Sequence, residues 1–393
     1  MKRHLLKLIW NRKRSNALVV AEIFVSFLVL FIVLAFGLYF AANYQKPLGY
    51  DYGEVWRVEV AMHPIPDAQE GEAARRYESI LAELERMDEV QSAAGVLFPP
   101  YFFGTSENVF EVRGRPVRVH TNEGTDDLAD VLGFELLSGR WFGPEDDAAN
   151  WKPAVIDADL ALAVFGRTNV AGERLPFFDE EHRVVGVISD YRKGGELSGS
   201  VPYVFFRVRP GLERGLPPHV LVKMRPGTPA AFEEAVVDRL SSVAPGWSFT
   251  VQPIERGRES ALRLQLIPLL LGATVAGFLI LMVALGLTGI MWQTVTRRTR
   301  EIGLRRAVGA SARGVYGQIV FETVILAAAG VLLGLAIVVQ LPLLGVGSFL
   351  GQGIYISATL LTSGTIILLA VVCGLYPGWM ASRVEPAEAL RYE

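Results

Sequence analysis

The sequence predicts a membrane α-helical protein with four transmembrane helices and a large α+β extracytoplasmic domain, the latter a split α/β subdomain with an inserted β-rich subdomain. Three observations predict it. Three apolar stretches lack charge over bilayer-crossing lengths, and the last is long enough to cross twice. A long segment, 46–263, separates the first stretch from the second and holds most of the acids. Basic residues gather ahead of the first stretch and after the second, and nowhere else as densely.

Composition fits this mixture. Of the 393 residues, 51% are hydrophobic and only 20% charged, below the ~25% charged share of a typical soluble domain. The net charge of −3 is too small to mean anything by itself, its distribution along the chain matters more, and no nucleic-acid partner is expected. Cys373 is the single cysteine, so no intrachain disulfide framework exists and the ectodomain must be held by its own core.

The first run, Ile23–Gln45, has no charge between Glu22 and Lys46. A helix of ~20 residues crosses a ~30 Å hydrocarbon core. A cleaved signal peptide is disfavoured, because its apolar core is only ~7–15 residues and Ala41-Ala42-Asn43 is a poor cleavage site. The second run is Leu264–Thr296. The third, Thr323–Ser382, contains no Asp, Glu, Lys, Arg or His, and Leu341-Pro342 with Gly345–Gly353 divides it into two spans.

Orientation follows from Lys2, Arg3, Lys7, Arg12, Lys13 and Arg14 before the first span, and from Arg297, Arg298, Arg300, Arg305, Arg306 and Arg313 after the second. Short Lys/Arg-rich segments stay in the cytoplasm. The expected layout is a basic cytoplasmic N-terminus (1–16), first span (17–42), ectodomain (43–262, insertion near 100–215), second span (263–293) and cytoplasmic loop (294–318). The third span (319–341), an outer loop (342–356), the fourth span (357–377) and a cytoplasmic tail (378–393) complete it.

Within the ectodomain, Val55–Ala61 alternates like a strand, Ala73–Met87 has helical spacing at Tyr77, Ile80, Leu81 and Leu84, and Gln91–Leu97 is a strand again. The order recurs: a strand at His219–Met224, a helix capped at Thr228-Pro229 and carrying Phe232, Ala235, Val236 and Leu240, then a strand at Trp247–Val251. These two units are expected to pack together. The insertion, with short strands such as Arg183–Ile188 and Pro202–Val208, is expected to hang outward.

Motifs for chemistry are few. No phosphate loop, nucleophile elbow or His-Glu-x-x-His zinc helix occurs, so no catalytic residue, no metal ligand and no cofactor is expected. His182 beside Glu180 and Glu181 reads as a solvated cluster, and Asp126-Asp127 and Glu145-Asp146-Asp147 as solvated turns lacking calcium-loop spacing. The span interiors carry no ionisable group of the kind an ion-coupled carrier needs. Glu22 and Glu322 read as interfacial acids at cytoplasmic ends. Gly330-x-x-x-Gly334 and Gly374-x-x-x-Gly378 allow close helix approach.

The basic loop is the most informative segment. Glu301–Val308 fits a short helix ended by Gly309, with Ser311 capping the next helix. Ile302, Leu304 and Val308 are expected to form an apolar side and the arginines a cationic one. Membrane-surface attraction accounts for the charge alone. It leaves the capped helix and its apolar residues unexplained, so a partner-binding helix is the better reading.

The stretch Arg300-Glu301-Ile302-Gly303-Leu304-Arg305-Arg306-Ala307-Val308-Gly309-Ala310 resembles the signature of the MacB/FtsX-like ABC transporter permease family, and continues with Gln318, Glu322 and Gly330. The ending Pro386-Ala387-Glu388-Ala389-Leu390-Arg391-Tyr392-Glu393 is similar to that family's Pro-x-Glu-Ala-Leu-Arg tail, which makes Pro386, Glu388, Ala389 and Leu390 a cytoplasmic motif. Leu132–Phe142 and Val184–Tyr191 are similar to stretches of the MacB-like periplasmic core domain.

The resemblance implies a permease subunit without enzymatic activity, seated in a bacterial cytoplasmic (inner) membrane with both termini inside. It implies a mechanotransmission (type VII) arrangement, in which two permease copies or paralogues pair and residues 300–310 bind a separate ABC ATPase. ATPase-driven motion then reaches the periplasmic domain, for export or efflux. Only about a dozen residues precede the first span, far fewer than a ~100-residue domain, so the ATPase is expected on another chain. Membrane lipid and a periplasmic protein complete the expected partners. The alternatives are an FtsX-like regulator of cell-wall hydrolases and a ligand-binding membrane sensor component.

Overall fold

The computed structural model describes residues 13–63, 71–112, 115–175, 181–210 and 215–383. The chain divides into two compact units: an ectodomain, Asn43–Gln265, and a helical unit formed by the residues up to Ala42 and from Leu266 onward. The first helix, α1 (Lys13–Tyr44), is apolar throughout most of its length because no charge interrupts it after Glu22.

The ectodomain opens with β1 (Val55–Ala61), α2 (Glu72–Glu85) and β2 (Val90–Val96). An insertion follows, made of β3 (Ser106–Val112), β4 (Arg115–Gly124), α3 (Leu128–Leu132), β5 (Leu136–Gly139), β6 (Lys152–Asp157), α4 (Ala158–Phe165), β7 (His182–Ile188) and β8 (Tyr203–Arg207). The chain returns as β9 (His219–Met224), α5 (Phe232–Val243) and β10 (Ser248–Pro253).

Strands β10, β1, β9 and β2 lie side by side and pair antiparallel throughout. Numbered among themselves, they have the order 4-1-3-2, the split βαβ arrangement. Period-two alternation gives this sheet two apolar faces. On one, Trp56, Val58, Val220 and Val222 pack against Tyr77, Ile80 and Leu84 of α2 and Val236 and Leu240 of α5. On the other, Val55, Ala94, Val96 and Leu221 need a second cover.

That second face explains where the insertion sits. Its strands and helices do form a β-rich lobe, but the lobe does not hang free. The sheet continues through the single bridge Val96–Gly124 into β4, then β8, β6, β7 and β5. Leu128, Phe134, Trp141, Tyr191 and Phe205 of the insertion share one core with Val55, Ala94, Val96 and Leu221. Aromatic rings bury ~150–250 Å² each, so leaving that face open would expose much apolar surface to water. The helix after β9 also starts later than the sequence motif implies. Thr228 turns its hydroxyl to the Arg225 carbonyl, 2.8 Å away, and α5 begins at Phe232 behind Ala231.

The helical unit continues with α6 (Ile254–Arg297), α7 (Thr299–Ala307), α8 (Ala312–Val338) and α9 (Gln352–Ser382). The start of α6, as far as Gln265, belongs to the ectodomain. Helices α1, α6, α8 and α9 each contain a window long and apolar enough to cross a membrane. Their shared core includes Ile23, Phe27, Leu287, Ile319, Leu326, Ile366 and Ala370. The two small-residue motifs set two of the helix crossings. A Cβ added at Gly330 would lie 2.6 Å from Ile23 Cγ2, and one at Gly334 would strike Phe27, so both glycines face α1. A Cβ at Gly374 would lie 3.1 Å from Val320 Cα and one at Gly378 3.2 Å from the Tyr316 carbonyl, which brings α9 onto the backbone of α8. Without hydrophobic drive in lipid, such close backbone packing is what holds spans together.

Candidate functional site

The helix α7 is bounded by backbone geometry on both sides. Its axis breaks from α6 at Arg298 (φ −106°, ψ 12°). At its other end Gly309 adopts φ +103°, the Gly309 N–H donates to the Arg306 carbonyl (3.1 Å), and the Ala310 N–H donates to the Arg305 carbonyl (2.9 Å). These paired reverse bonds form a Schellman motif, for which glycine is suited because a Cβ is strained at positive φ. Two residues on, the Ser311 hydroxyl accepts from the Gly314 N–H (3.2 Å) and caps α8.

Several contacts fasten α7 and the residue before it to the helical unit. Ile302 is buried in the span core, and Gly303 beside it is buried too. Arg298 and Glu322 pair at 3.4 Å with both side chains largely buried, and Gln318 donates to Glu322 at 3.0 Å. Arg306 donates to the Ser382 carbonyl at the end of α9 (2.8 Å). Glu322 is therefore buried and paired rather than free at the surface: a lone buried carboxylate would be costly, and Arg298 with Gln318 satisfies it.

The opposite side of α7 is exposed. Leu304 retains 55% and Val308 82% of its accessible surface. The apolar pattern suggests one side for Ile302, Leu304 and Val308, but residues two apart on a helix are separated by ~200°. Ile302 therefore turns inward while Leu304 and Val308, four apart, share the outward face. Arg300 and Ala307 are exposed as well. Arg305 pairs with Glu301 one turn earlier and donates to Gln318 Oε1 at 3.3 Å. The residues Pro386, Glu388, Ala389 and Leu390 lie outside the described residues.

The ectodomain holds a second polar assembly, between β7 and β8. Arg192 is 1% exposed. Its guanidinium donates to the carbonyls of Lys46 (2.8 Å), Pro47 (3.3 Å), Glu196 (2.6 Å) and Ser198 (2.6 Å). Asn43 donates to the Leu197 carbonyl at 3.4 Å and Gln265 to the Gly194 carbonyl at 3.2 Å. Arg258, near the start of α6, pairs with the Glu196 carboxylate. One loop, 190–200, thus grips both the chain that follows α1 and the first turns of α6. Next to it Lys193 reaches the Phe102 carbonyl (3.0 Å) and that of Gly104, and burial pulls its ammonium pKa down to about 8. In the sequence this stretch is read only as far as Tyr191, within the family-like run Val184–Tyr191, and residues 192–200 carry no expected role.

Other sequence candidates resolve into structural roles. Arg207 binds Asp126 through two contacts (2.6 and 2.5 Å) and Asp147 through one (2.6 Å), while Arg140 binds Asp146 and Glu145. The acidic turns are neutralised by arginines, and among the described residues no cluster of His, Cys, Asp or Glu could hold a metal ion. His182 is buried against the Phe206 ring (4.8 Å between centroids) rather than solvated, since it opens β7 and faces inward.

Four apolar helices, an α+β domain between the first two and a capped basic helix between the second and third define a multi-pass membrane subunit with a substantial extramembrane domain. Family models identify both parts. One described as MacB-like periplasmic core domain matches residues 17–239, and one described as FtsX-like permease C-terminal matches residues 273–386. The chain belongs to the MacB/FtsX-like family of ABC transporter permeases.

Among its relatives, the macrolide export ATP-binding/permease protein MacB of Bdellovibrio bacteriovorus is 31% identical over 303 residues, covering 72% of this chain and 46% of that protein. The ABC transporter permease YknZ of Bacillus subtilis is 26% identical over 275 residues, 68% of each chain. The chain spans about half the length of the MacB relatives it matches. The crystal structure of the periplasmic region of MacB from Actinobacillus actinomycetemcomitans aligns over 53% of this chain and 92% of that one, at 16% identity and a TM-score of 0.39.

Proposed function

We propose that this permease transmits ATPase-driven motion across the inner membrane to its extracytoplasmic domain, in the service of export or efflux. A separate ABC ATPase subunit docks on the outward face of α7, residues 300–310, and the permease pairs with a second copy or a paralogue. Both termini and α7 face the cytoplasm, in keeping with the arginines on either side of α7.

The observation that carries the reading is the two-sided character of α7. Its inner side is locked into the helical unit by Ile302, Arg298–Glu322 and Arg306–Ser382, so a push on the helix moves the spans rather than the loop alone. Its outer side offers Leu304 and Val308, an apolar pair that a solvated loop has no reason to display and that a partner can bury. Arg300 and Arg313 beside them add positive charge for an acidic rim. At the ectodomain, the Arg192 loop joins the two linkers, so displacement of either is delivered to the sheet as one movement.

The experiment is co-purification from native membranes. Leu304→Asp, on the exposed side, should abolish recovery of an ATPase and of ATP hydrolysis while leaving expression and membrane insertion unchanged. Full ATPase recovery with that variant would refute docking at this face.

A further inference from the structure

The end of the helical unit that carries α7 bears a feature that the coupling reading does not use. Trp292 on α6 and Tyr376 on α9 stack with ring centroids 5.8 Å apart and planes 25° apart, and Tyr376 stacks in turn on Trp379 at 6.2 Å and 25°. The Arg383 guanidinium lies over the Trp379 ring at 4.2 Å from its centroid. All three rings are about half exposed, so the ladder is surface rather than core.

Position and chemistry together define what it fits. Residues 376, 379 and 383 fall on one face of α9 and step along its axis by ~4.5–6 Å each. Trp and Tyr settle at the level of lipid headgroups, where a ring can lie in apolar surroundings and its polar edge can reach water. Here the rings are aligned and end on a cation. A guanidinium stacked on an indole keeps its N–H edge free, is weakly hydrated, and matches a phosphate through two parallel hydrogen bonds. The local charge is also positive: Glu301 is paired with Arg305 and Glu322 with Arg298, while Arg297, Arg300 and Arg313 stand exposed. We propose that Trp292, Tyr376, Trp379 and Arg383 form a site for the headgroup of an anionic phospholipid, its glycerol region lying on the rings and its phosphate on Arg383.

A lipid is the occupant rather than a free phosphate, because the open ladder offers one guanidinium and a run of rings, and only a molecule with an apolar body covers the rings. The inference rests on membrane insertion alone and stands or falls independently of ATPase docking. The Arg306–Ser382 hydrogen bond, one residue from Arg383, sets this lipid beside α7.

The test reconstitutes the full chain in nanodiscs of equal phosphatidylglycerol and phosphatidylcholine and counts retained lipid by native mass spectrometry after release. The wild type should keep phosphatidylglycerol preferentially. Arg383→Gln should lower its retention roughly fivefold, the effect of one cation near a membrane surface, and Trp379→Leu should lower it comparably. Arg75→Gln, on the exposed side of α2, should change nothing. Should glutamine at 383 disturb insertion, Arg383→Lys keeps the charge without the planar stack and should retain an intermediate amount. Equal retention of the two lipids by the wild type, wild-type retention in the Arg383 and Trp379 variants, or displacement of the lipid by inorganic phosphate would each overturn the proposal.

Discussion

The loop 190–200 of the ectodomain and the segment 298–311 of the helical unit are of similar length and both are organised by arginines, yet they use them in opposite ways. Arg192 is buried and spends its donors on four main-chain carbonyls, two of them about 145 residues earlier in the chain. The arginines of α7 make contacts at the surface or at its margin: Arg305 with an exposed Glu301, and the half-buried Arg306 with the Ser382 carbonyl. Exposed ion pairs contribute ~1 kcal/mol or less, whereas buried charged donors left without partners cost several times that. The difference teaches how firmly each segment is held. One is built so that it cannot move apart from its surroundings; the other is fastened on one side and left open on the other.

That contrast can be broken first at its strongest point. Arg192→Leu removes the donors that satisfy the carbonyls of residues 46, 47, 196 and 198, and the ectodomain should lose about 4 kcal/mol or more. Denaturant unfolding of the full chain, followed by tryptophan fluorescence, measures it. A loss below about 1 kcal/mol would mean that the loop is not the clamp described.

Acid should separate the two regions next. His219 is buried against the Phe102 ring, its Nδ1 has no hydrogen-bond partner, and burial together with Arg57 lowers its pKa to about 4. Between about pH 4 and pH 6.5 the unfolded imidazole holds a proton that the folded one does not. Stability of the ectodomain therefore rises with pH across that window, and this contribution is flat above it. The contribution is roughly 3 kcal/mol. His219→Phe should flatten this slope, and the order of α7, which contains no histidine, should not follow it; an unchanged slope in the variant would remove His219 as the cause.

The smallest effect belongs to α7 itself. Gly309→Val places a β-branched residue at φ +103° and should loosen the Schellman cap by about 1 kcal/mol. Hydrogen exchange over residues 299–310 should quicken while the ectodomain stays protected. Unchanged exchange in α7 would show that the cap does not hold the helix.

Legibility in the sequence follows the range of the interactions. The four spans are visible because an uncharged apolar run of twenty or more residues is rare outside a membrane helix. The end of α7 and the start of α8 are visible because Gly309 and Ser311 act on backbone only a few residues away. The paired strand–helix–strand units are also readable from local periodicity. The Arg192 loop is not, since nothing near it in the chain shows that its carbonyl partners come from residues 46 and 47. The pairing of Glu322 is not legible in the sequence because its partner Arg298 lies across a helix break. The insertion looks detached because it joins the rest of the sheet through one bridge, Val96–Gly124, and through aromatic packing that no local pattern encodes. The apolar side of α7 differs for a simpler reason: three apolar residues close in sequence suggest one face, while their spacing puts Ile302 opposite the other two.

The proposed docking sets the outward face of α7 against an ATPase, and crosslinking tests that directly. Single cysteines at Leu304, Val308 and Ile302, introduced into a Cys373→Ala background, would be treated in native membranes with a short bifunctional reagent. The account predicts an ATPase adduct from Leu304→Cys and Val308→Cys and none from the buried Ile302→Cys. Absence of any ATPase adduct at 304 and 308, in chains that are inserted and labelled, would contradict it.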